Sequence, residues 1–139
     1  MRIDDLIKRG KVRKTKYDKD LIDSLLSRID KDLKLFSKIK IDNISSGKVT
    51  SNYFDILRCV LEAISLKKGF KIYQHDAVTL FLIDIGEYSI SRKFDKYRKI
   101  RNKINYYGGD VSIEEAKDYI LDIKEIINYL IDKYLRGVK

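Results

Sequence analysis

Proline and tryptophan are absent from this chain of 139 residues, and cysteine, methionine and histidine occur once each. Without proline, no position removes a backbone donor from a helix, so long uninterrupted helices are expected. The lone Cys59 excludes a disulfide within the chain and a thiolate cage for zinc. The lone His75 excludes the glutamate–histidine pairs of a di-iron bundle, and nothing near it in sequence resembles a catalytic triad. We therefore expect no metal and no cofactor.

Long hydrophobic runs are also missing. The longest, residues 77–83, is far shorter than the roughly 20 residues that cross a bilayer. Asp4 and Asp5 stand where a secretory signal would be basic and then apolar. A nucleotide-binding glycine loop is excluded as well, because Gly108 and Gly109 lack the lysine and hydroxyl residue that would follow them. We expect a soluble, cytoplasmic protein without a membrane partner.

The charge is strongly basic and unevenly distributed. Lysine and arginine total 30 against 21 aspartates and glutamates, which gives a formal net charge of +9. Residues 1–16 hold seven basic and two acidic side chains, and residues 92–103 hold seven basic and one acidic. Such surfaces attract polyanions, nucleic acids among them. A lysine-rich composition also accompanies adaptation to heat, so charge alone leaves both interpretations open.

Apolar residues recur at helical spacing over most of the chain, which predicts an all-α protein. Residues 1–16 are predicted to form a basic N-terminal arm and residues 17–139 a helical domain. The expected architecture is an antiparallel up-down bundle of four long helices and one short helix, without strands. The helices are predicted to run from about Asp18 to Ile39, from Thr50 or Ser51 to Gly69, from Asp76 to Ile85 and from Tyr88 to Tyr106. The last is predicted to run from Asp110 or Ser112 to Leu135, and Ser112 and Glu115 have the spacing of a capping box.

Polar side chains gather at the end of the helix predicted from Tyr88 to Tyr106. On a wheel of about 100° per residue, five of them fall in one arc from roughly −60° to +80°. They are Arg98, Arg101, Asn102, Asn105 and Tyr106, and Tyr107 follows before the glycines. Guanidinium, amide and phenol groups together suit a phosphate or a base. A solvated helix face with a polar end is the alternative interpretation.

Two segments of the chain resemble the HEPN domains of bacteria and archaea, small helical bundles often encoded beside minimal nucleotidyltransferases. Residues 53–71 look like the second helix of that family with its glycine exit, and residues 97–109 look like the helix that carries the family signature. The signature is an arginine, a polar residue, a few further residues and a histidine. Arg101 and Asn102 match the first pair, and Tyr106, or Tyr107 with one residue more between, stands at the position of the histidine. The likeness spans about residues 17–134.

The resemblance implies a homodimer in which two signature helices meet in one cleft. In active members this cleft cleaves RNA without a metal: the histidine helps to move a proton from the ribose 2′-hydroxyl, and the arginine steadies the phosphate. Many such members are toxins whose antitoxin is the neighbouring nucleotidyltransferase, and others bind RNA or nucleotides without cleaving them. A phenol, with an ordinary pKa of about 10 against about 6.5 for imidazole, is a poor base at neutral pH. We therefore expect binding to be retained and cleavage to be impaired.

Three functions remain open at this point. The first is an RNA- or nucleotide-binding module that uses Arg98, Arg101, Asn102, Asn105, Tyr106 and Tyr107. The second is an active, toxin-like, metal-independent ribonuclease with Arg101, Asn102 and Tyr106 as its catalytic residues. The third is an interaction subunit of a HEPN and nucleotidyltransferase pair, whose basic face meets an acidic partner, because tyrosine and arginine are also favoured at protein interfaces.

Overall fold

The structure is a computed structural model that describes residues 3–136, without the side chain of His75. This part of the chain is mostly helical, as predicted, with two short strands and a final π-helical turn. In chain order the elements are α1 (Ile3–Lys8), β1 (Val12–Lys14), α2 (Lys19–Ser37), α3 (Ser46–Lys67), β2 (Phe70–Ile72), α4 (His75–Asp84), α5 (Tyr88–Tyr107), α6 (Ile113–Leu130) and the π-helix (Ile131–Leu135). None of the described helices is both long enough and apolar enough to span a membrane.

Helix α3 lies at the centre of the fold and contacts α2, α5 and α6. Its apolar residues recur on several faces, so most of its length is buried. Phe54 packs against Phe94 of α5 with ring centroids 5.1 Å apart. The predicted apolar face of α5 is confirmed, since Ile90 and Tyr97 are buried in the core. The polar residues of the predicted site lie on the opposite side of α5.

The segment predicted as a basic N-terminal arm is folded onto the helices over its described part. Strand β1 pairs antiparallel with β2, with Val12 opposite Ile72. Leu6 and Val12 are buried together with Ala77 of α4. The prediction that the chain has no strands is therefore wrong, because three-residue strands are too short for an alternating pattern to reveal them.

The start of α3 differs from the prediction. The helix begins at Ser46, four residues before Thr50, and neither Thr50 nor Ser51 caps it. The carboxylate of Asp42 accepts hydrogen bonds from the backbone N–H groups of Ile44 and Ser45, which fixes the preceding turn. The Thr50 hydroxyl instead donates to the carbonyl of Ser46, inside the helix. A local side-chain turn thus starts the helix one turn earlier than a capping serine or threonine would.

Two other helix ends follow the prediction. The capping box of α6 is confirmed: the Ser112 hydroxyl accepts from the N–H of Glu115, and the Glu115 carboxylate accepts from the N–H of Ser112. Helix α5 ends at Gly108, whose φ of 64° lies in the left-handed region that glycine adopts without strain. The end of α5 is therefore set by local sequence, and this end carries the predicted site.

Candidate functional site

Helices α3 and α5 are joined by two polar contacts that lie one helical turn apart. The Ser51 hydroxyl donates to Oδ1 of Asn105 at 3.1 Å, and Asp55 Oδ1 lies 3.3 Å from Arg101 Nε. The residue numbers rise along α3 as they fall along α5, so the two helices run in opposite directions at this contact. The polar side of α5 therefore faces α3 at these two positions and is only partly open to solvent.

Arg101 connects this interface with the exposed end of α5. Its side chain is only 16% exposed, whereas that of Asp55 is 45% exposed. Beyond the ion pair, Arg101 Nη1 donates to the Tyr106 hydroxyl at 3.4 Å, and Cζ lies 5.8 Å from the centroid of the Tyr106 ring. Among the described residues, Arg101 Nε and Asp55 Oδ1 are both buried without a hydrogen-bond partner, although the two atoms lie at ion-pair distance from each other. Both groups keep unused hydrogen-bonding capacity.

The other predicted residues are only partly brought together. Arg98 donates to the carboxylate of Asp95 at 2.6 Å within α5 and thereby holds the pKa of Asp95 below its usual range. Asn102 is partly buried on the same helix. Tyr106 and Tyr107 are 68% and 83% exposed. The residues of the predicted arc thus fall into separate groups. Arg101 and Asn105 contact α3, Arg98 pairs with a residue of its own helix, and Tyr106 lies exposed at the helix end.

A partly enclosed cavity of about 380 Å³ lies beside Arg101. Three arginines line it, each from a different helix: Arg28 from α2, Arg58 from α3 and Arg101 from α5. The remaining lining residues are Asp55, Cys59 and Glu62 of α3, Ile72 of β2 and Val78 of α4. Among the predicted site residues, Arg101 is the one that lines this cavity.

The charged groups of the cavity differ in how they are compensated. Glu62 pairs with Lys71 at 3.0 Å, and Asp55 pairs with Arg101. Arg28 comes within 3.8 Å of Asp32 through Nε, at a side chain that is 73% exposed. Arg58 forms no ion pair or hydrogen bond with the side chains that the structure describes. Among the described residues, Arg58 is therefore the arginine of the cavity that forms no ion pair.

The remaining polar group of the wall, Cys59, is partly buried. Burial raises the pKa of its thiol, although the nearby charges of Arg28 and Arg58 oppose that effect. The thiol is protonated at neutral pH, so Cys59 contributes a neutral surface to the cavity.

Arg28 and Arg58 were not predicted as site residues. One signal for Arg58 was present in the sequence, because Asp55, Arg58 and Glu62 occur at spacings of three and four in an otherwise apolar helix. Such a charged stripe on a central helix indicates a surface that does not face the core. Arg28 carried no comparable signal, since it lies on a helix with charged residues along much of its length.

Comparisons with protein-family models, curated proteins and solved structures found no match to this chain. The described residues also contain no group of three or more histidine, cysteine, aspartate or glutamate side chains arranged to hold a metal ion. Fold and site together define a mostly helical protein with an arginine-lined cavity, one of whose arginines, Arg101, contacts the exposed Tyr106. An anion that carries an aromatic group fits that combination best.

Proposed function

We propose that the protein is a cytoplasmic, HEPN-type module that binds RNA or a nucleotide, built as an antiparallel helical bundle that dimerises. One observation carries the proposal: Arg101 lines the cavity and also contacts the exposed ring of Tyr106. A phosphate bound in the cavity would contact Arg101, and a base stacked on Tyr106 would lie next to it. A ligand with both groups gains from both contacts.

Each part of this arrangement has a known physical role toward nucleic acids. A guanidinium keeps its charge at any physiological pH and presents a planar fork to phosphate oxygens. Stacking of a base on an aromatic ring contributes about 1–3 kcal/mol, and every base can stack in this way. The net charge of +9 adds a general attraction for polyanions, which weakens as salt is raised.

The amides and the second arginine have supporting roles in this proposal. Asn105 is exposed, and its Oδ1 already accepts a hydrogen bond from Ser51, so its amide N–H group is available to a ribose or phosphate. Asn102 lies on the same face, one residue after Arg101. Arg98 is paired with Asp95 and contributes charge to the face. Tyr107 offers a second ring for stacking.

The direct test is RNA binding by Arg101→Ala, measured by fluorescence anisotropy with a short single-stranded RNA at about 50 mM and about 200 mM salt. Loss of a charge-assisted hydrogen bond, about 1.5–3 kcal/mol, predicts a loss of roughly ten- to hundredfold in affinity. Arg92→Ala is the matched control, because it removes the same charge from an exposed position of α5. Equal affinity of wild type and Arg101→Ala would overturn the proposal.

Ribonuclease activity is a second candidate function, because the Tyr106 hydroxyl and Arg101 Nη1 lie within 3.4 Å of each other. A phenol and a guanidinium at that distance would act on the same ribose and phosphate, and Asn102 is the third residue of the predicted catalytic set. The test is incubation with single-stranded RNA in EDTA at increasing pH, up to about 10, where phenols ionise. Cleavage that depends on Arg101 and Tyr106 would favour this function, and its absence over the whole range would remove it.

The proposed homodimer has a candidate surface of its own. An apolar groove of about 880 Å³ lies between α2 and the π-helix and is lined in part by Leu26, Leu33 and Ile131. Outside the lining of this groove, Leu21 and Leu35 of α2 are 41% and 54% exposed. Apolar surface of this kind often marks a contact between proteins. Light scattering should give the mass of a dimer, and a strict monomer at high concentration would contradict the dimer.

The same groove supports the third function, an interaction subunit that binds a nucleotidyltransferase as in a toxin–antitoxin pair. A pull-down with the product of an adjacent nucleotidyltransferase gene tests this function, with RNA binding measured in parallel. A partner that binds the protein while RNA does not would favour the interaction subunit over the binding module.

A further inference from the structure

We infer that the arginine-lined cavity binds the terminal phosphate of a nucleotide, with Arg58 of α3 as its principal ligand. The inference rests on the proposed function and adds to it a residue and a ligand group. Arg28, Arg58 and Arg101 reach the cavity from α2, α3 and α5. Because the three arginines come from separate helices, the packing of these helices brings them to one cavity.

The charge balance singles out Arg58. Asp55 is paired with Arg101, and Glu62 is paired with Lys71 at 3.0 Å. The two carboxylates of the wall are thus neutralised by other cations. Arg58 is partly buried and has no counter-charge among the described side chains. A partly desolvated guanidinium beside an open space is stabilised by an anion that enters it.

The same balance favours a terminal phosphate over an internal one. Arg58 has no counter-charge among the described side chains, and Arg28, which is 73% exposed and 3.8 Å from Asp32, adds its guanidinium by exchanging this carboxylate for the phosphate. Two such guanidinium groups match the charge of a phosphomonoester, about −1.5 to −2 at neutral pH, whereas an internal phosphodiester carries a single charge. A terminal phosphate also presents three unesterified oxygens to the arginines. The cavity therefore complements the terminal phosphate of a nucleotide or an RNA better than a phosphodiester within an RNA.

The size and the remaining walls agree with a ligand of this kind. About 380 Å³ lies at the small end of the range for ligand pockets, about 300–1,000 Å³. Ile72 and Val78 give apolar surface, and Cys59 is a neutral thiol. The polar arginines and this less polar wall lie in one cavity, as a phosphate and its attached nucleoside require. Two sources share this chemistry: a free nucleotide and the 5′ end of an RNA.

The experiment compares one short RNA with a 5′-phosphate and with a 5′-hydroxyl, and adds adenosine monophosphate against adenosine. Wild type should bind the phosphorylated RNA about tenfold more tightly than the hydroxyl form, the effect of one or two charge-assisted contacts. Arg58→Ala should abolish that preference, because it weakens binding of the phosphorylated RNA more than binding of the 5′-hydroxyl RNA, and urea unfolding followed by circular dichroism checks that the variant is folded. Arg58→Lys should keep part of the preference, and the control Arg92→Ala should keep all of it.

The outcomes separate the two sources and the two proposals. A phosphate preference for adenosine monophosphate as well as RNA identifies free nucleotides as ligands, and a preference for RNA alone identifies its 5′ end. No phosphate preference in wild type, or a preference that survives in Arg58→Ala, overturns the inference. If the inference is overturned in this way but 5′-hydroxyl RNA still binds, and its binding depends on Arg101, the proposed function stands without the phosphate site. If Arg101→Ala binds it as wild type does, the proposed function fails independently.

Discussion

Asp55 of α3 and Arg101 of α5 form an ion pair in which Oδ1 and Nε are 3.3 Å apart, at one wall of the arginine-lined cavity. The carboxylate fixes the position of the guanidinium and neutralises part of its charge. Arg101 is therefore oriented before any ligand arrives, which lowers the entropic cost of binding. Its other face remains in contact with Tyr106, at the exposed end of α5.

Asp55→Asn is expected to strengthen RNA binding. The change removes one negative charge from the cavity wall but keeps a polar side chain of the same shape beside Arg101, so the guanidinium stays positioned and more of its charge is available to a phosphate. We expect a two- to fivefold gain in affinity at low salt, on the order of 0.4–1 kcal/mol. The salt dependence should steepen by about 0.7 if one further phosphate is contacted. Fluorescence anisotropy over a salt series measures both.

Asp118→Asn is the control for this variant, because it removes one carboxylate from an exposed position of α6 outside the cavity lining. It changes the net charge by the same amount. Equal gains in the two variants would show that the effect is general charge and that Asp55 does not restrain Arg101.

Tyr106→Ala and Tyr106→Phe should separate stacking from hydroxyl chemistry. Tyr106 is 68% exposed, so both variants should fold. Loss of the ring predicts a loss of about 1–3 kcal/mol in RNA binding for Tyr106→Ala, and Tyr106→Phe should bind within about twofold of wild type. Any cleavage that wild type shows should disappear in Tyr106→Phe. Wild-type binding by Tyr106→Ala would exclude a stacking role.

Glu87→Gln is expected to destabilise the fold by about 1–3 kcal/mol. Glu87 is buried and accepts hydrogen bonds from the hydroxyls of Tyr129 and Tyr134 and from Lys133 Nζ. This cluster ties the start of α5 to α6 and the π-helix. Urea unfolding followed by circular dichroism gives the free energy. Glu125→Gln, at an exposed position of α6, should change it by less than about 0.5 kcal/mol.

The contribution of Glu87 should depend on pH in a defined direction. Burial alone would raise the pKa of Glu87, but the hydrogen bonds from Tyr134, Lys133 and Tyr129 outweigh burial and lower it. A carboxyl whose pKa is lowered by folding stabilises the fold above its unfolded pKa, about 4.5, and loses this effect as pH falls through its folded pKa. The difference between wild type and Glu87→Gln should therefore shrink below about pH 4.5. A constant difference would contradict the assignment.

Leu6→Ala tests whether the N-terminal segment belongs to the folded unit. Leu6 is fully buried, next to Val12 and Ala77. Removal of a buried leucine side chain costs about 2–5 kcal/mol, so the urea midpoint should fall markedly. Leu121→Ala, at a leucine that is 59% exposed, should have little effect. Equal midpoints for the two variants would show that residues 3–14 contribute nothing to stability.

Ser112→Ala tests the capping box that starts α6. The substitution removes the hydroxyl that accepts from the N–H of Glu115, and loss of an N-cap costs about 1 kcal/mol. Ser89→Ala, at an exposed serine in the first turn of α5, is the matched control. Thermal unfolding should show a lower midpoint for Ser112→Ala only, and equal midpoints for both variants would contradict the cap.

Features of local origin could be predicted from the sequence. Asp18 caps α2, Ser112 and Glu115 start α6, and Gly108 ends α5, each through contacts within a few residues. The start of α3 could not be predicted in this way, because Asp42 and Ser45 satisfy the backbone through a turn that competes with a later cap. Strand β1 was missed because its partner β2 lies far away in the sequence.

The candidate site likewise has one part that could be predicted from the sequence and one part that could not. Helical periodicity by itself determined that the end of α5 carries Arg101, Asn105 and Tyr106 on one side, since 3.6 residues make a turn wherever the helix lies. Only the tertiary structure decided that Asp55 meets Arg101 and that Arg28 and Arg58 share a cavity with it. Contacts between separate helices depend on how the helices pack, and packing is set by apolar surfaces distributed over the whole chain.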